Sequence, residues 1–215
     1  RLVGSEMCIR DRYNVLPGEK AHALMAPRPK YIEGIEGVHP CPPVNSAILA
    51  LIVPFENELA LPLIKRVNRG KYHGGQIAFP GGKMEKEDAD ALQTALRECH
   101  EEIGVPEEKV SILGVLSDIY IPLSNFNITP IVGTTLQLPD FILSQDEVEK
   151  VILVKLRDLF DDRNKTTHSF VRHDHKIIAP GYKIGENFIW GATAMIIAEL
   201  EQLMKTNTFN HLGKL

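Results

Sequence analysis

The chain has 215 residues, 44% of them hydrophobic, and a formal net charge of −4. That length suits one well-buried domain, no Pro- or Ser-rich linker divides it, and the weak negative charge offers no field to gather nucleic acid or an anionic membrane. The longest apolar run, Ala47 to Phe55, is too short to span a bilayer and carries Pro54. A soluble protein is expected, with no nucleic acid and no membrane among its partners.

In chain order, Arg1 to Arg12 has neither the apolar stretch of a signal peptide nor a helical or strand period, and no methionine opens the chain. Residues 1–12 are therefore expected to be non-native, and residues 13–215 to form the single domain. Cys8, Cys41 and Cys99 are odd in number and lack metal-ligand spacing. Nothing in them calls for an oxidising compartment, so a cytoplasmic location is expected.

Asn45 to Pro54 and Leu59 to Arg66 are β-rich runs on either side of a short polar turn, Glu56-Asn57-Glu58, which predicts a hairpin. Lys65, Arg66, Arg69, Lys71 and His73 then place five basic side chains within nine residues. Alone, such a run is most often a solvated edge. Beside the turn Phe79-Pro80-Gly81-Gly82, whose glycines let backbone approach a ligand closely, it reads better as an anion clamp for a substrate with several phosphate charges.

A helix is predicted from near Asp88, read as its N-cap, to Ile103, with Gly104 as the C′ residue and Pro106 beyond. In helical phase Leu92, Ala95, Leu96, Cys99 and Ile103 form one apolar stripe, while Glu98, Glu101 and Glu102 project from another sector. Like charges at these spacings repel by roughly 0.2–0.5 kcal/mol per pair, and no lysine on the same ridge relieves them. A hard cation bound by these oxygens turns that cost into affinity, and Mg²⁺ takes one or two carboxylates together with substrate phosphates. The layout is that of a divalent-metal diphosphate site.

Val110 to Tyr120 and Phe126 to Leu136 predict two strands around a corner at Pro122, and Glu147 to Leu156 predicts another. Asp161 to Asp174 reads as a polar loop, with His173 and His175 facing solvent. A hairpin then leads through Phe188-Ile189-Trp190 into an apolar helix, Ala192 to Met204. Trp190 reads as core rather than as a stacking partner for adenine, and Ser124 and Asn125 as turn formers. Strands in the middle with helices at both ends of this order predict an α/β fold, a mixed sheet sandwiched between helices.

The segment from Gly82 to Val105 resembles the Nudix box: Arg97, Glu98, Cys99, Glu101, Glu102, Gly104 and Val105 match its second half. The first half departs, with Asp88 in place of glutamate and eight residues rather than seven before Arg97. Upstream, Arg66, Gly75 and Phe79 to Gly82 are in register with the signature of the coenzyme A pyrophosphatase branch of that family. Lys71 stands there for the usual arginine, which keeps the charge but loses the bidentate fork. Leu16-Pro17-Gly18 with Met25-Ala26-Pro27, Tyr120 to Phe126 with Pro130, and Trp190-Gly191-Ala192-Thr193-Ala194 extend the likeness from about Tyr13 to about Met204.

The resemblance implies a Nudix-type α/β/α sandwich and a metal-dependent diphosphatase using Mg²⁺ or Mn²⁺. Coenzyme A or acyl-CoA would be cleaved to 3′-phosphoadenosine 5′-phosphate and a 4′-phosphopantetheine species. Expected metal ligands are Glu98 and Glu102, with Glu101 a further ligand or the base that orients water, and Arg97 fixing the glutamates by ion pairing. Arg66, Arg69, Lys71, Gly75, Gly81 and Gly82 are the expected substrate contacts. In the wider family the base can come from a distant loop; Glu147 is a candidate, although an exposed strand-end charge is the better reading of it. Two other functions stay open: hydrolysis of another nucleoside diphosphate derivative such as ADP-ribose, and nucleotide sensing without turnover. A homodimer is an open expectation beside the monomer.

Overall fold

The computed structural model describes residues 16–28, 41–68, 75–172 and 175–206. The expected non-native segment, residues 1–12, lies outside them. The two apolar runs near the start pair as the hairpin β1 (Val44–Phe55) and β2 (Glu58–Arg66). Phe55 faces Glu58, so the loop is the two residues Glu56 and Asn57, with φ of 48° and 60°. Both angles are positive, as a turn matched to the right-handed twist of a hairpin requires. Glu58, expected in the turn, already belongs to the strand.

Short strands β3 (Ile77–Ala78) and β4 (Gly81–Lys83) follow, then helix α1 (Ala91–Ile103). The chain continues through β5 (Ser111–Val115), β6 (Ile119–Ile121), β7 (Phe126–Thr134) and β8 (Val148–Lys155). The sheet runs β3-β2-β1-β7-β5, with β4 on β1, β6 on β7 and β8 on β2. It is mixed: β1 and β7 are parallel from Val44↔Phe126 to Ile52↔Thr134, and the other pairs are antiparallel.

Strand β1 is buried on both faces, which is why it reads as a continuous apolar run. Ala47, Leu49, Leu51 and Val53 pack with Ala95, Leu96, Cys99 and Ile103 of α1. Ala50 and Ile52 pack on the other face against Ala194, Ile197 and Leu200 of the C-terminal helix α2 (Ala192–Lys205). The result is the expected α/β/α sandwich. No described helix is long and apolar enough to cross a membrane.

Two expected elements differ. The run Val110 to Tyr120 is not one strand: it breaks between β5 and β6, where Leu116 N–H goes to Pro130 and the Ser117 N–H and hydroxyl turn to the Glu199 carboxylate. Much of the expected loop Asp161–Asp174 is strand β9 (Lys165–Arg172), paired with β10 (His175–Ile184), which in turn pairs with β11 (Asn187–Trp190). As the edge of a three-stranded sheet, β9 carries little apolar alternation to reveal it. His175 opens β10, whereas His173 lies outside the described residues. Trp190 is half-buried and packs edge-to-face on Phe170, centroids 4.8 Å apart. Asn125, at φ 55°, closes the corner before β7.

A short helix, α0 by position (Gly18–Met25), lies beside α2. What joins them is polar: Glu199, 0% exposed on α2, accepts hydrogen bonds from Gly18 N–H at 3.1 Å and Ser117 Oγ at 2.7 Å, and pairs with His22 Nε2 at 2.8 Å.

Candidate active site

The acidic helix starts two residues later than expected. Asp90 is its N-cap, accepting from Gln93 N–H at 2.9 Å, while Gln93 Oε1 accepts from Ala89 N–H at 2.8 Å. Asp88 is instead drawn inward. Its carboxylate takes the fork of Arg97, Nε to Oδ1 at 3.0 Å and Nη2 to Oδ2 at 2.9 Å, and also accepts from Thr94 Oγ1 and Glu85 N–H. The Arg97 guanidinium above all, with the Glu85 N–H and Thr94 hydroxyl, holds the Asp88 carboxyl far below the usual carboxylate range. The extra residue before Arg97 is thus absorbed in the connection, and the acid still reaches the arginine.

Arg97 also donates through Nη1 to Glu98 at 2.9 Å and Glu101 at 3.0 Å, and through Nη2 to the Lys83 carbonyl at 3.2 Å. The expected ion pairing of Arg97 with the glutamates is therefore present, with Asp88 and β4 added to it. Its charge is held firmly on by those acids.

The three glutamates do not share one environment. Glu101 has 55% of its side chain exposed, Glu98 14%, and Glu102 none. Glu102 reaches between helix and sheet: Oε2 accepts from Gly81 N–H at 2.8 Å, and Oε1 lies 3.5 Å from Arg66 Nη2. That Oε1 is buried and accepts no hydrogen bond from any described residue. Burial pushes the Glu102 carboxyl up to about 7, against the pull of Arg66 and Gly81. Glu98 is raised as well, first by burial, with Arg97 opposing.

The glycine turn makes this close approach possible. Gly82 sits where an added Cβ would lie 2.4 Å from the Glu98 carboxylate, and Gly81, at φ 155°, where one would lie 2.4 Å from the Ala47 carbonyl. No side chain fits at either position without displacing strand or acid. Arg66 is at the end of β2, and its carbonyl accepts Gly75 N–H at 3.0 Å. Arg69 and Lys71 lie outside the described residues.

Glu147, the weaker candidate, is nearer the centre than its place in the sequence suggests. Val67 N–H bonds its carbonyl at 2.9 Å, and Ser144 N–H bonds the Glu102 carbonyl at 3.0 Å, so the loop before β8 is tied to both β2 and α1. The Glu147 side chain is exposed, and its charge raises both Glu98 and Glu102. The signal available in the sequence was its position at a loop-to-strand junction.

Residues 45–173 match the NUDIX domain. The chain belongs to the Nudix family. A protein named Uncharacterized Nudix hydrolase NudL from Enterobacter sp. (strain 638) is 34% identical over 161 residues, 73% of this chain and 82% of the relative. One of the same name from Pectobacterium atrosepticum is 35% identical over 158 residues, 73% and 80% of the two chains. Among solved structures, the M. smegmatis Nudix hydrolase RenU aligns with TM-score 0.52 and 15% identity, covering 78% of this chain and 89% of that one. The MutT protein from Methanosarcina mazei Go1 aligns at 0.51 and 17%, covering 78% and 96%. Both share the fold. The Nudix box is therefore the segment from β4 through α1, with Asp88 partnering Arg97.

Whether this Nudix box suits a divalent cation can be judged from its own atoms. Among the described residues, no group of three or more His, Cys, Asp or Glu is placed to hold a metal ion unaided. Of the three glutamates expected here, Glu101 pairs with Arg97 and is mostly exposed. Glu98 and Glu102 remain, flanking the bare backbone of Gly81 and Gly82, with one Glu102 oxygen buried and unbonded. Hard oxygen donors and an orphaned carboxylate oxygen fit Mg²⁺ or Mn²⁺ entering with water and substrate phosphates, rather than a cation resident in an all-protein cage.

Proposed function

We propose that the protein is a metal-dependent hydrolase that cleaves the diphosphate of coenzyme A or acyl-CoA, releasing 3′-phosphoadenosine 5′-phosphate and 4′-phosphopantetheine or its acyl form. The observation that carries the diphosphatase reading is Glu102: a carboxylate with one oxygen anchored to Gly81 N–H and the other buried, without a hydrogen bond and 3.5 Å from Arg66 Nη2, with Glu98 held against the neighbouring Gly82. The names of the NudL relatives agree with hydrolysis. The coenzyme A branch is supported by the register of Arg66, Gly75 and Phe79 to Gly82.

When bound, Mg²⁺ or Mn²⁺ would neutralise charge on the diphosphate oxygens and make water a better nucleophile. Glu98 and Glu102 would hold it. Arg97, locked by Asp88, keeps Glu98 in place and also pairs with Glu101, whose exposed carboxylate is the proposed further ligand or the base that orients water. Glu147, carried by the loop before β8, is the alternative base. Arg66 brings a cation to the Glu102 side of the cleft for a substrate phosphate, and Gly81 and Gly82 admit that phosphate to the backbone. Arg69 and Lys71, from the basic run that follows Arg66 in the sequence, are the other residues proposed to contact substrate.

A substrate panel of CoA, acetyl-CoA, dephospho-CoA, ADP-ribose and diadenosine polyphosphates, run with Mg²⁺ and with Mn²⁺ and read by product identification, tests this. Release of 3′-phosphoadenosine 5′-phosphate from CoA with the highest kcat/KM is expected. Preference for ADP-ribose would move the protein to another substrate class, and no product from any of them would make it a sensor.

A further inference from the structure

We propose that the pocket beside the Nudix box receives a nucleoside bearing its own phosphate monoester, with Lys83 and Lys86 meeting that phosphate. This rests on the diphosphatase reading above and adds to it the residues that would tell CoA from substrates lacking the extra phosphate. The pocket has a volume of about 330 Å³ and is lined by Val44, Asn45, Lys83, Met84, Glu85 and Lys86. That is the small end of the range for ligand sites. It suits one nucleoside.

Its position follows from β4. Gly82 abuts Glu98, and the next residue, Lys83, has its carbonyl held by Arg97 Nη2 at 3.2 Å. Lys83 ends β4 and, with Met84, Glu85 and Lys86 of the connection to α1, lines the pocket next to the glycine turn. The walls are set before anything binds: Met84 N–H goes to the Asn45 carbonyl at 2.9 Å, and Glu85 N–H to Asp88 Oδ2 at 2.9 Å. Such preorganisation lowers the entropy lost on binding.

Chemistry selects the occupant. Half-buried Val44 and Met84 present apolar surface to a base, and Asn45 presents amide donors and acceptors. Lys83 and Lys86 are both exposed, and the acid on the same lining is Glu85, which leaves the lining with one net positive charge. Asp88, close behind, is spent on Arg97, Thr94 and Glu85 N–H. A phosphate monoester carries nearly two negative charges near neutral pH, and two ammonium point charges suit it without demanding one orientation.

The test is Lys83→Gln with Lys86→Gln, read by calorimetric binding of 3′-phosphoadenosine 5′-phosphate and of AMP to the full chain. The parent protein is expected to bind the bisphosphate about tenfold more tightly than AMP, and the double variant to bring the two within about threefold. If the double variant does not fold, the single variants are read the same way, each removing part of the preference. An unchanged ratio, or a parent protein that does not prefer the bisphosphate, overturns the proposal. In parallel, the ratio of kcat/KM for CoA to that for dephospho-CoA should fall about tenfold in the variant. CoA hydrolysis with that ratio unchanged sinks the pocket and spares the CoA reading. A preference for the bisphosphate that depends on these lysines, in a protein that hydrolyses ADP-ribose but not CoA, supports the pocket and sinks the CoA reading.

Discussion

Glu102 and Glu199 are both completely buried carboxylates, each on a helix packed against one face of the same sheet, yet they are treated oppositely by their surroundings. Glu199 has both oxygens engaged, by Gly18 N–H, Ser117 N–H and hydroxyl, and His22. Glu102 has one oxygen on Gly81 N–H and the other without a hydrogen bond, facing only the Arg66 guanidinium at 3.5 Å among the described residues. A satisfied buried acid positions the elements that satisfy it, here the N-terminal helix, α2 and the break between β5 and β6. An acid left half-satisfied costs stability, and retaining that cost is intelligible if a cation completes it.

The sharpest way to break the comparison is to neutralise each acid in turn. Glu98→Gln and Glu102→Gln should each lower kcat by about a thousandfold, or about 4 kcal/mol, while the melting temperature is maintained or rises. A metal-dependent activity that survives either change would put the site elsewhere. Glu199→Ala should do the reverse. Leaving Gly18, Ser117 and His22 without their acceptor should destabilise the fold by about 3 kcal/mol by urea titration, with kcat of the folded fraction preserved.

A pH series sharpens the same contrast. Glu102 is raised in the folded state from 4.5 to about 7, so the folded chain binds the extra proton. Its contribution is fully present below pH 4.5 and is lost as pH rises through about 7. The metal-free protein should lose on the order of 3 kcal/mol over that window, and saturating Mg²⁺ at pH 8 should recover it. Glu102→Gln should abolish this part of the pH profile. Asp88 acts with the opposite sign: its depressed pKa contributes above the ordinary carboxylate range and is lost in acid.

The smallest effect expected is at Gly82→Ala, where the new methyl must push the Glu98 carboxylate aside. A loss of about tenfold in kcat, with apparent metal affinity weakened in step, is expected. Gly185→Ala, where no atom lies within 4 Å but φ is 57°, is the control: it should cost about 1 kcal/mol of stability and leave kcat unchanged.

What the sequence determined by itself is whatever a local period could encode. The apolar stripe of α1, the cluster of acids on it and the pairing of two β-rich runs across a short polar turn from Glu56 to Glu58 are written in local sequence spacings. Tertiary structure decided which acid was buried, because that depends on what packs opposite. Glu102 meets Gly81 across 21 positions and Glu199 meets Gly18 across 181. Asp88 looked like a helix cap until Arg97 claimed it, and Glu147 looked like a stray surface charge until the loop before β8 was tied to Glu102. Burial and charge pairing across such separations leave no periodic trace, so only the folded chain could rank carboxylates that are chemically identical in the sequence.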